Sequence, residues 1–117
     1  MTTYSTGHSI TATITFPTLT GAEQGEALQK AGRILKGTYA DSAPGRALAT
    51  VLEALRTGEE SATITLNRRD ASSLIRCSEN TARREGGPAD VLLRAVVAAL
   101  LAADQTANPG ADDIRYL

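Results

Sequence analysis

Ile10, Ala12, Ile14 and Phe16 alternate with Thr11, Thr13 and Thr15. A period of two, with β-branched residues throughout, predicts a strand with one buried face. Pro17 lacks a backbone donor and ends it. Thr20-Gly21-Ala22-Glu23 has capping-box spacing, so a helix is expected from about Gly21. Its apolar stripe is Ala27, Leu28, Ala31, Ile34 and Leu35, and Gly37 is the natural stop. Asp41 to Gly45 reads as a loop. Leu48, Val51, Leu52 and Leu55 then share one face of a second helix, about Arg46 to Thr57, which Gly58 ends.

Ser61-Ala62-Thr63-Ile64-Thr65-Leu66 repeats the strand pattern. Asn67 can cap the helix that follows, with Asp70 three residues on, and Ser78 can cap another. Gly86-Gly87-Pro88 breaks the chain, with Pro88 at a favoured first-turn position. The last helix, about Ala89 to Ala103, is apolar almost all round, the pattern of a core centre or of half a dimer interface. Asp104 to Leu117 reads as a polar, loose tail.

Thr11 to Phe16 matches Ser61 to Leu66, and Leu48, Val51, Leu52, Ala54 and Leu55 match Leu93, Val96, Val97, Ala99 and Leu100. These matches describe an internal repeat of strand, helical region and helix; convergent Thr and Ala patterns are the other reading. The expected fold class is α+β, with two short strands, four or five helices and a pseudo-twofold relation between halves. Residues 1–103 form the expected single domain, and 104–117 the tail.

The chain has 117 residues, 42% hydrophobic but only 3% aromatic, so its core is built from Leu, Ile, Val and Ala. Net charge is -1, which excludes a globally basic nucleic-acid binder. The distribution is uneven: Arg68 to Arg84 holds five arginines against Asp70 and Glu79. A basic module on an acidic body is a local electrostatic footprint; a solvated, Arg-rich helix from a GC-rich genome looks the same.

Asp70-Ala71-Ser72-Ser73-Leu74-Ile75-Arg76-Cys77-Ser78-Glu79-Asn80-Thr81-Ala82-Arg83-Arg84 reads as a short helix, a corner near Arg76 and a second helix from Ser78. This stretch resembles the helix-turn-helix of small DNA-binding proteins of the excisionase-like and MerR-like type. The lead-in Leu66-Asn67-Arg68-Arg69-Asp70-Ala71 is similar to theirs, and Gly86 to Pro88 is similar to their Gly-x-x-Pro. The resemblance covers about Leu66 to Pro88, with 67–87 as the candidate helix-turn-helix. It departs from the pattern at Arg76, where Gly is usual, and at Ala82 and Glu85, where larger apolar residues are usual. The basic wing after the Pro is replaced by the apolar last helix.

The resemblance implies that the second helix enters the major groove of double-stranded DNA. Asn80 would then pair with adenine, and Arg83 or Arg84 with guanine. Thr81, Arg68, Arg69 and the Ser78-capped helix end would meet phosphate.

Enzymatic chemistry has little to work with. His8 is the one histidine and Cys77 the one cysteine, so no His/Cys metal site is expected, and no cofactor. Cys77 reads as a small structural residue at the helix corner. The N-terminal stretch lacks the apolar run of a signal peptide, and a lone cysteine fits a reducing cytoplasm. Val91 to Ala103 is too short to span a bilayer.

The expected function is therefore that of a small, cytoplasmic, non-enzymatic DNA-binding regulator of transcription. Its source would be a bacterium, a phage or another mobile element, and it would pair as a homodimer through residues 89–103. The alternative is a protein-binding module, such as a phage or mobile-element inhibitor or a small structural subunit. Basic residues on one exposed helix favour DNA; a broad apolar or acidic patch favours a protein partner.

Overall fold

A computed structural model describes residues 9–117. β1 (Ser9–Thr15) and β2 (Ser61–Asn67) pair antiparallel as a two-stranded ribbon. Both bury every second residue, as the alternation predicts. Ile10, Ala12 and Ile14 face the core with their partners Leu66, Ile64 and Ala62. Phe16 N–H donates to Glu60 O at 3.0 Å, which sets the phase of the ladder. The threonines thus fall on the narrow pairs, where side chains approach most closely. Thr11 Oγ1 lies 3.0 Å from Thr65 Oγ1, and Thr13 Oγ1 lies 3.1 Å from Thr63 Oγ1.

α1 (Gly21–Ala31) has the expected capping box: Thr20 N–H donates to Glu23 Oε1 and Glu23 N–H to Thr20 Oγ1. It passes into a 3₁₀ turn at Gly32–Ile34, so Ile34 and Leu35 pack from outside the α-helix. α2 (Ala43–Arg56) begins earlier than expected. Ser42 caps it, accepting from Gly45 N–H at 3.1 Å, and Pro44 sits in its first turn. Gly45 is required there, because a Cβ would stand 1.8 Å from the Tyr39 carbonyl oxygen.

α3 (Arg68–Glu85) is one uninterrupted helix. This corrects the expected corner at Arg76 and the second helix from Ser78. No Gly or Pro lies between Arg68 and Glu85 to stop propagation. Asn67 caps α3 by accepting from Asp70 N–H at 2.7 Å. The break comes at Gly86, whose φ of 65° and ψ of -167° suit glycine. α4 (Gly87–Ala107) follows at once and runs past the expected end at Ala103.

α4 is the centre of the core. Its Leu92, Leu93, Val96, Val97 and Leu100 are buried. The helix packs on β1, α1 and α3, while α2 packs on β2. Its apolar girth is therefore covered by its own chain, leaving Val91, Ala98 and Ala102 outward. The expected loose tail is corrected as well. Ile114 is buried, a 3₁₀ turn forms at Ile114–Tyr116, and Arg115 Nε donates to Glu79 Oε2 at 3.1 Å. Arg68 Nη2 donates to the Asp112 carbonyl at 3.0 Å. The tail is thus strapped across α3 by one apolar anchor and two arginines.

Each half of the fold is strand, helix, helix, as the internal matches suggest. Thr13 stands directly opposite Thr63, its counterpart in the repeat. Thr11 faces Thr65, and Thr15 faces Ser61. Among the described residues, no helix is long and apolar enough to cross a membrane.

Candidate nucleic-acid interface

α3 carries all seven of the residues expected to contact DNA, and the helix divides them. Arg69, Asn80, Arg83 and Arg84 are exposed. Arg68, Ser78 and Thr81 are buried. Arg68 is held by Asp104, Nε to Oδ1 at 2.7 Å and Nη2 to Oδ2 at 3.0 Å, and cannot reach a phosphate without breaking that pair. The bond to Asp104 also raises the guanidinium pKa above its ordinary value, outweighing burial. Ser78 lies mid-helix with its hydroxyl buried and unpaired, so it caps nothing. Thr81 faces the interior beside Ala82.

Arg76, expected at a corner, instead stands between Arg69 and Arg83 on the same face. Seven residues are nearly two full turns, so Arg69, Arg76 and Arg83 line up with a drift of only about 20° per step. At about 1.5 Å per residue they form a ridge roughly 21 Å long. Asn80 lies between the last two, and Arg84 flanks them. The sequence signal for this ridge was the interval of seven itself, which a corner at Arg76 conceals.

Of the three carboxylates on α3, Asp70 beside Arg69 has no ion-pair partner among the described residues, while the other two are engaged away from the ridge. Glu79 accepts from Arg115, and Glu85 accepts from Arg33 Nη1 at 3.3 Å. Arg84 Nε stands 3.7 Å from Glu85, so it is partly compensated. Among the described residues, no carboxylate lies within ion-pair distance of Arg69, Arg76 or Arg83. Arg76 Nε makes one long bond, 3.4 Å, to the Ser72 carbonyl.

Behind the ridge, Cys77 is half-buried and lines a cavity of ≈ 260 Å³ with Ile34, Tyr39, Asn80, Thr81 and Arg84. The Tyr39 hydroxyl is buried without a well-formed hydrogen bond, against Ser73 and Cys77. Burial pushes its pKa from 10.0 up to about 12, a cost borne by the phenolate. Cys77 therefore packs a helix flank rather than a corner. His8 lies outside the described residues. Among the described residues, no three His, Cys, Asp or Glu side chains gather as a metal site would require.

Compared with known proteins, the chain matches no family model, no curated protein and no solved structure. Its own residues carry the functional reading.

Proposed function

We propose that this protein binds double-stranded DNA, with the exposed arginine face of α3 following the phosphate backbone. It is a small, non-enzymatic regulator working in the cytoplasm of a bacterium or of a cell carrying the phage or mobile element that encodes it. The observation that carries this reading is the ridge of Arg69, Arg76 and Arg83, exposed and without carboxylate partners among the described residues. Three uncompensated guanidiniums in a row on a protein of net charge -1 concentrate positive potential on one edge. Guanidinium groups suit phosphate oxygens through paired N–H donors. The apolar surface gives less support to a protein partner: among the described residues, the exposed large apolar side chains are Val91, Tyr116 and Leu117.

Salt-titrated fluorescence anisotropy with duplex DNA tests the reading. Each phosphate contact contributes close to one unit of slope in log K against log salt. Replacing Arg69, Arg76 and Arg83 together by Gln is expected to lower that slope by about 3. Wild-type protein without measurable affinity at about 50 mM salt, where phosphate attraction is strong, overturns it. The protein-binding module then becomes the better account.

A further inference from the structure

Ile34 and Tyr39, from the 3₁₀ turns between α1 and α2, share the cavity of ≈ 260 Å³ with Cys77, Asn80, Thr81 and Arg84 of α3. Its walls are of two kinds. Ile34, Cys77 and the Tyr39 ring are apolar, since the Tyr39 hydroxyl is buried against Ser73 and Cys77. Asn80, Thr81 and Arg84 bring an amide, a hydroxyl and a guanidinium. Among the described residues, no carboxylate lines the cavity. Glu85, 3.7 Å from Arg84 Nε, is held by Arg33 through two bonds of 3.3 Å. Lys36, exposed and without a carboxylate partner among the described residues, lies between Ile34 and Tyr39 in the chain. Thr81 is 4% exposed, yet its side chain makes no hydrogen bond among the described residues. Thr50 and Thr106, also helical, return their hydroxyls to the carbonyl four residues back. A buried hydroxyl costs free energy unless it is paired, and the cavity that Thr81 lines is where a partner can stand.

We propose that this cavity binds a small carboxylate with an apolar body, and that the bound anion draws Asn80 and Arg84 away from DNA; the second half rests on the DNA-binding reading of α3. The amide, the hydroxyl and the guanidinium can all donate, and the guanidinium is charged, so the complementary head group is an anionic acceptor. A carboxylate takes paired N–H donors from a guanidinium and keeps lone pairs for an amide and a hydroxyl. The apolar wall favours a ligand with an apolar body over a bare inorganic anion, which would leave Ile34 uncovered. At ≈ 260 Å³ the cavity lies near the lower limit of small-ligand sites, about 300 Å³, so the ligand is compact. Asn80 and Arg84 also flank the arginine ridge, so the same two side chains face both partners. Ligand and DNA then weaken each other's binding by the same factor, whichever arrives first.

Benzoate is the probe, with benzamide and inorganic phosphate as controls. Cys77 is the single cysteine and lines the cavity, so its alkylation by iodoacetamide reports occupancy. Benzoate is expected to slow that labelling saturably and to shift the amide NMR signals of Cys77, Asn80, Thr81 and Arg84. Arg84→Gln, at an exposed position, is expected to raise the benzoate Kd by about tenfold through loss of the charge-assisted pair. Thr81→Val, which keeps the shape and removes the hydroxyl, is expected to raise it by about threefold or more. At fixed ionic strength, saturating benzoate is expected to lower wild-type affinity for duplex DNA by about fivefold or more, the lower end of such couplings. The same concentration is expected to change the DNA affinity of Arg84→Gln far less. No saturable effect up to about 10 mM benzoate, well past a millimolar Kd, overturns the site. Equal binding of benzamide, which needs no cationic partner, overturns it, and so does tighter binding of phosphate, which needs no apolar wall. Benzoate that occupies the cavity without weakening DNA binding overturns the opposition to DNA and leaves the site standing. Wild-type protein that binds benzoate but no duplex removes the DNA reading and the opposition with it, while the site stands.

Discussion

Arg68 and Asp104 form a bidentate ion pair inside the protein, joining the first residue of α3 to the last turns of α4. Asn108 Nδ2 donates to Asp104 Oδ1 at 2.9 Å, and the Asp112 carbonyl takes a further guanidinium N–H. The pair therefore also anchors the tail. Buried charges of this kind are stable only as a complete set, since each alone has lost its water. Asp104→Ala leaves the guanidinium buried and unpaired and is expected to cost about 3–5 kcal/mol. Replacing both residues, Arg68→Met with Asp104→Leu, recovers much of that loss. Urea unfolding of the three proteins measures it; a single-variant loss near zero would mean that water already solvates the pair.

Arg76 separates the continuous helix from a helix-turn-helix. At the middle of α3, Arg76→Gly is expected to be about 1 kcal/mol less stable than Arg76→Ala, the difference in helix propensity. At a tight corner the order reverses, because glycine accepts the left-handed backbone there. Thermal unfolding of the two variants decides by sign alone.

Val97 and Val91 lie on the same helix with opposite fates, at 6% and 46% exposure. Val97→Glu places a carboxylate in the core and is expected to unfold the chain, which circular dichroism would report. Val91→Glu is expected to change stability by less than about 0.5 kcal/mol, as for ordinary surface positions. A Val97→Glu protein that stays folded but halves its mass in light scattering would place Val97 in a dimer interface instead.

Tyr39 gives stability a pH limit. Its hydroxyl titrates at about 12 in the fold against 10.0 when exposed, because burial disfavours the phenolate. Below pH 10 both states keep the proton and stability is unaffected. Between about pH 10 and 12 the unfolded chain loses the proton first, so stability falls as pH rises. Tyr39→Phe is expected to flatten that decline. Urea midpoints at successive alkaline pH values, wild type against variant, check it; parallel curves would show that another group is responsible.

Much of the local structure was legible in the chain. A strict period of two in Thr and Ile fixes which face of each strand is buried, because side chains alternate whatever the surroundings. The capping box at Thr20 and the glycines at Gly58 and Gly86 act through the adjacent backbone, so their effect also needs no tertiary context. The matching strands left the register open, since an antiparallel pair of like strands has a local twofold in any register; the structure sets Thr13 opposite Thr63. The corner at Arg76 failed for the converse reason. Ser78 has the chemistry of a cap, but α3 has no breaker, and packing on α4 rewards its unbroken apolar face.

Arg68 and Arg69 mark where sequence stops. They are adjacent and chemically identical, and both read as phosphate contacts. A step of about 100° around the helix axis turns one inward to Asp104, thirty-six residues away, and the other out to solvent. The sequence by itself determined that α3 is basic. Which of its charges are free to act depended on a partner across the fold, because only packing brings a carboxylate from α4 to one guanidinium and leaves its neighbour in water.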